Sequence, residues 1–142
     1  MALDALSGIN WLAVIVATIV YFALGALWYS PVAFGKQWQR AIGWDEAQQQ
    51  GGTSPMVYAG PALFALVSTI ATAMLANATG STDVGGGVVL GLVVGIGYGL
   101  ALTAYEALFA PNRPAPWVWF VITGSYHLIG LLIAAVIVSA WR

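Results

Sequence analysis

Four long stretches of the chain are almost wholly apolar: 9–29, 55–76, 86–110 and 116–140. Each meets the roughly 20 residues that a helix rising 1.5 Å per residue needs to cross a hydrocarbon core about 30 Å thick. The only ionisable acid or histidine groups within them are Glu106 and His127. Helix punctuation falls where the apolar runs begin and end. Asn10, preceded by Ser7 and Gly8, offers an N-cap to the first, and Pro55 and Pro116 stand where a missing N–H costs nothing. Pro31, Pro111 and Pro114 follow helix ends. The pattern predicts an all-α integral membrane protein, with four transmembrane helices in a bundle that forms one membrane domain over residues 1–142.

The connections are unequal. Residues 77–85 read as a tight polar turn, and 111–115 as a tighter one. The long connection, 30–54, has internal order: Phe34, Trp38 and Ile42 recur every four residues, with Gln37, Gln39 and Arg40 on other faces. That spacing predicts a short interfacial amphipathic helix at about 32–44, lying in the headgroup plane; an aromatic-rich loop with chance spacing is the alternative. Tryptophans and tyrosines mark the borders, as amphipathic rings do at membrane interfaces. Trp28, Tyr29, Trp38, Trp44, Trp117 and Trp119 gather at one border, and Trp11 and Trp141 at the other. Trp28, Tyr29, Lys36 and Trp38 are the expected interfacial anchors.

Composition supports the hydropathy. Charged residues make up 6% of the 142, against roughly 25% in ordinary soluble domains, and nine charges could not cover a water-facing bundle of this size. A net charge of −1 gives no basic stripe, so no nucleic-acid partner is expected. The absence of cysteine excludes disulfides and thiolate metal sites. The first seven residues lack a basic segment, and the apolar run after them is longer than a signal-peptide core, so it reads as a retained first helix. Four spans put both termini on one side. Lys36, Arg40 and Arg113 lie in the two connections on the other side, while the terminal side has Arg142 and the α-amine. The positive-inside bias therefore predicts cytoplasmic connections at 30–54 and 111–115, and both termini outside.

Small and hydroxylated residues form stripes. Gly87, Gly91, Gly95 and Gly99 make a glycine ridge of zipper type at four-residue spacing, continued by Thr103, on which another backbone can approach closely. The spacing leaves open whether that backbone belongs to this chain or to a second subunit. Asn10, Ala17, Thr18, Tyr21 and Gly25 share one side of the first helix, Ala65, Ser68, Thr69, Thr72 and Ala76 one side of the second, and Thr123, Gly124, Gly130 and Ala134 surround His127 on the fourth.

Intramembrane ionisable groups are costly and are functional candidates by default. At 100° per residue, Glu106 lies within about 20° of both Gly95 and Gly99, which aims it at the packed interface. It would sit about 6 Å deep and His127 about 16 Å deep, too far apart for a direct bond, with Thr103, Thr123 or Tyr126 available as links. They form either a polar relay or ligand site, or two structural groups: Glu106 paired with Arg113, and His127 satisfied by Ser125, Thr123 or a carbonyl. His127 as the ligand of a tetrapyrrole metal is a third option. One His and one Glu are too few for a metal cluster, and no catalytic triad, HExxH or phosphate-binding loop is present. No cofactor is expected.

The stretch from Leu27 to Trp38, above all Trp28, Tyr29, Ser30 and Pro31 followed by Phe34, Gly35 and Lys36, resembles a bacterial membrane family catalogued as domain of unknown function 1761. Asn10 with Trp11, Arg113, and Gly124 with Tyr126 extend the resemblance over nearly the whole chain. It implies a small integral membrane protein and carries no activity with it. The expected function is thus a non-enzymatic, self-associating structural or accessory subunit, with the lipid bilayer and a homo-oligomer or membrane complex as partners. The alternative is a small transporter or channel using Glu106 and His127. Small proton-coupled multidrug transporters have a similar helix count but use a carboxylate in the first helix, which has none here.

Overall fold

The computed structural model describes residues 6–44 and 55–141. Four helices in it are long and apolar enough to cross a membrane: α1 (Trp11–Trp28), α3 (Met56–Thr79), α4 (Val84–Leu108) and α5 (Pro116–Ala140). A short helix, α2 (Gly35–Ile42), interrupts the first connection. The rest of that connection, residues 45–54, lies outside the described residues.

The caps follow from side chains. Asn10 Oδ1 accepts from the N–H groups of Leu12 and Ala13 at 3.0 and 3.2 Å, which starts α1. Asp83 does the same for α4, accepting from Gly86 N at 2.7 Å. Between them, α3 ends at Gly80, whose φ of 68° is the left-handed cap that glycine adopts without strain. At the terminal end of the bundle Asn10 donates to the Trp141 carbonyl, and the Ser81 and Ser139 hydroxyls meet at 3.1 Å.

Helix α5 is the centre. In its most apolar window 44% of residues are buried, against 22% for α1. Helices α1 and α3 pack on each other and on α5, whereas α4 lies along α5, touches α3 slightly, and shares no interface with α1. The buried stripes are rich in small residues: Ala13, Ala17 and Gly25 on α1; Ala65, Thr69, Thr72 and Ala76 on α3; and Thr123, Gly124, Gly130 and Ala134 on α5, with larger side chains such as Tyr21, Ile122 and Tyr126 between them. Small side chains let helix axes approach closely, so dispersion can hold them where lipid removes the hydrophobic drive.

The glycine row of α4 is covered from within the chain. A Cβ at Gly87 would stand 2.7 Å from Val136 Cα, one at Gly91 2.7 Å from Leu132 Cα, and one at Gly95 2.7 Å from Leu128 Cδ1. The row therefore meshes with the i, i+4 ridge of Leu128, Leu132 and Val136 on α5.

Helix α4 is not uniformly α-helical. Gly95–Leu100 forms a π-helical turn, closed by an i→i+5 bond from Ala101 N to Ile96 O. On an α-helix each i, i+4 step overshoots a full turn by about 40°, so a long four-residue row drifts off its face. The wider π turn takes up that drift. Consequently Thr103 and Ala107 stay buried in line with Gly87, Gly91 and Gly95. Glu106, one residue before Ala107, is turned about 100° off that face, and its side chain is 57% exposed. The expectation that Glu106 points into the packed interface is thus corrected, because it assumed an unbroken α-helix.

Helix α2 folds back onto the bundle. Ala41 is buried with Ala107 and Trp119, Trp38 and Ile42 pack beside them, and the Ala41 carbonyl accepts from Ala115 N at 3.2 Å. Lys36, Gln37 and Arg40 face outward. Trp119, one of the border aromatics, is only 6% exposed, because α2 and the Arg113 guanidinium cover it.

Candidate functional site: an aromatic–histidine cluster at membrane depth

His127 sits on α5 between Tyr126 and a glycine-lined flank. Its Cβ lies 3.5 Å from where a Gly99 Cβ would be. Gly130, one turn on, leaves the space filled by the Tyr21 ring of α1, and Gly25 does the same for Tyr126. These two absences of a side chain let α1 and α5 exchange aromatic rings: Tyr21 and Tyr126 stand 5.3 Å apart, centroid to centroid, and Tyr126 and His127 4.8 Å. The result is a hydrogen bond at mid-membrane, Tyr21 Oη to His127 Nδ1 at 2.8 Å. The cluster continues towards the α2 end through Tyr29, whose ring is 5.3 Å from both Tyr126 and Trp38. Trp28 Nε1 donates to the Ile122 carbonyl at 3.0 Å, a second polar tie between α1 and α5.

The partner of His127 is therefore Tyr21, rather than Ser125, Thr123 or a carbonyl. Ser125 bonds back to the Val121 and Ile122 carbonyls of its own helix. Thr103 likewise donates to Gly99 O at 2.8 Å and Leu100 O at 3.1 Å. Thr123 Oγ1 is enclosed beside the Tyr29 phenol without a hydrogen bond of normal geometry, and the Tyr126 hydroxyl reaches the Tyr21 carbonyl at 3.5 Å. None of the three bridges Glu106 to His127. Glu106 faces Arg113 at 3.8 Å, within electrostatic but not hydrogen-bonding reach.

The chemical capacity of the cluster follows. The Tyr21 hydroxyl fixes the imidazole orientation through one ring nitrogen. The other, Nε2, has no partner among the described residues, and His127 is half-buried. Depending on tautomer, it presents one donor or one acceptor at membrane depth. Among the described residues no three His, Asp or Glu side chains converge on a point that could hold a metal. Sequence reasoning put Tyr21 on the inward stripe but missed it as the partner. The signal was depth: Tyr21 is about 11 Å in from Trp28, and its phenol tilts deeper, to the level of His127.

The four anchors expected at the border divide. Lys36 is exposed, whereas Trp28, Tyr29 and Trp38 are half-buried and bonded or stacked within the bundle.

No curated protein and no solved structure matches the chain. The family model described as "Protein of unknown function (DUF1761)" matches residues 12–139, all four spans included, and the chain belongs to that family.

Proposed function

We propose that the chain is a non-enzymatic membrane subunit that associates with a second copy of itself through the outer face of α4. The observation that carries this is Tyr98. It is 64% exposed, and its hydroxyl has no partner among the described residues. It lies ten residues before Leu108, hence about 15 Å from that end of the span. A phenol reaches about 6.5 Å, too short to bring the hydroxyl to the interface. A lone hydroxyl facing hydrocarbon costs several kcal/mol, which a partner helix would relieve. Gly97 beside it has nothing within 4 Å, and Ala101, one turn on, is exposed, a small-residue pair suited to a second helix. The glycine ridge offers no such surface, because α5 occupies it.

The test uses the cysteine-free background. Ala101→Cys chains oxidised in membranes should crosslink as dimers, whereas Val67→Cys on the outer face of α3 should not. A monomer by native mass spectrometry, with no crosslink at Ala101 or Gly97, would remove the proposal.

A second reading, a small transporter or channel using Glu106 and His127, is favoured by the Nε2 of His127, which has no partner among the described residues. Reconstituted Glu106→Gln and His127→Ala proteins that fold normally, with no pH-dependent flux to lose, would dispose of it. In either case the orientation we infer from Lys36, Arg40 and Arg113 puts both connections in the cytoplasm of a bacterial inner membrane. Outside labelling of Gln48→Cys in intact cells would reverse it.

A further inference from the structure

Between the end of α4 and the start of α5 a cleft of about 540 Å³ opens, lined by Leu108, Phe109, Pro111, Arg113, Pro116 and Trp117. Because it joins two spans, it lies at the level of the lipid headgroups. Arg113 is held there unusually. Its guanidinium stacks on the Trp119 ring, Cζ 3.6 Å from the centroid, which favours this position over one out in water. Its Nη1 is enclosed and has no hydrogen-bond partner, and Nη2 meets only Glu106, at 3.8 Å. The part of the guanidinium that stays accessible, in a side chain 28% exposed, thus has no acceptor at bonding distance among the described side chains. The cleft also receives the start of α5, which no side chain caps. Planar, bidentate donors beside an uncapped helix start suit a phosphate, and the apolar walls suit the glycerol and upper acyl chain that follow a headgroup phosphate. Glu106 does not line the cleft, but its carboxylate stands 3.8 Å from Arg113 Nη2 and would oppose a purely anionic ligand there. A headgroup that also carries an ammonium resolves that conflict, with phosphate on Arg113 and ammonium on Glu106.

We infer that this cleft binds one phospholipid bearing a primary amine headgroup, Arg113 holding its phosphate and Glu106 selecting the amine. This site is independent of the proposed dimer face. The full-length protein, exchanged into neutral detergent, is titrated with phosphatidylethanolamine, phosphatidylglycerol, phosphatidylcholine, diacylglycerol and inorganic phosphate, and bound lipid is read by native mass spectrometry. Phosphatidylethanolamine should bind best and diacylglycerol at least about tenfold less. Arg113→Gln should lose at least about tenfold for every phosphate-bearing lipid, while Arg113→Lys, which keeps the charge without the fork, should recover part of it. Glu106→Gln should keep phosphate binding but lose the preference for phosphatidylethanolamine over phosphatidylglycerol. Equal retention of diacylglycerol, or undiminished binding by a folded Arg113→Gln chain, overturns the site. Displacement of lipid by millimolar inorganic phosphate would overturn the lipid assignment, and an unchanged preference in Glu106→Gln would overturn the role of Glu106.

Discussion

Adding one methyl group to Gly91 should weaken the fold, whereas the same change at Gly60 should not. A Cβ at Gly91 would lie 2.7 Å from Leu132 Cα and 3.2 Å from Ala135 Cβ. Carbon pairs settle at about 3.5–4.0 Å, so α4 and α5 must part by about 1 Å, and the nearest atom is backbone that cannot rotate aside. A gap of that size forfeits a quarter to a half of each contact's attraction. Over a strip of some 30 carbon pairs at about 0.15 kcal/mol each, the loss comes to about 2 kcal/mol, within the usual range for overpacking. Gly60 on α3 has nothing within 4 Å. There alanine meets no neighbour and gains up to about 1 kcal/mol in helix propensity. The assay is reversible unfolding by SDS in mixed micelles, followed by circular dichroism, for wild type and both variants. Gly91→Ala should fall below wild type and Gly60→Ala should match or exceed it. If Gly91→Ala were as stable as Gly60→Ala, the close α4–α5 contact would be refuted.

Other substitutions probe the polar ties. Tyr21→Phe removes the hydroxyl bonded to His127 and should cost about 0.6–1.7 kcal/mol in the same assay, the range found for hydrogen bonds between membrane helices. It should also shift the His127 imidazole nitrogen resonances, because the ring loses the partner that sets its tautomer. Gly130→Ala should cost more than Tyr21→Phe, since its methyl would overlap the Tyr21 ring and break the hydrogen bond and the ring packing together. Trp28→Phe keeps an aromatic ring but loses the bond to the Ile122 carbonyl, and should cost about 1 kcal/mol. Glu106→Gln should leave stability within about 0.5 kcal/mol of wild type, because a partly exposed pair at 3.8 Å, without a hydrogen bond, contributes little.

Hydropathy and small-residue stripes carried most of the architecture, because lipid enforces simple rules on length and on what may face it. The spans could be read from runs such as 116–140, and the inward faces from residues such as Ala65 and Gly130. Two features were not readable. The π turn at Gly95–Leu100 shifts every residue after it by a fraction of a turn, and nothing in a glycine-rich sequence says where i→i+5 bonding replaces i→i+4. That shift took Glu106 out of the interface and left Thr103 in it. The Tyr21–His127 bond spans 106 positions in sequence, and finding it required knowing that α1 and α5 are neighbours.

The central claim is that the glycine row of α4 meshes with α5 of the same chain. A Gly91→Cys, Leu132→Cys double variant of this cysteine-free protein, oxidised in native membranes, tests it directly. The account predicts rapid crosslinking within one chain, at monomer mass, and none for Val89→Cys with Leu132→Cys, since Val89 faces outward at 63% exposure. A crosslink that joins two chains, or a stronger one from Val89 than from Gly91, would contradict it.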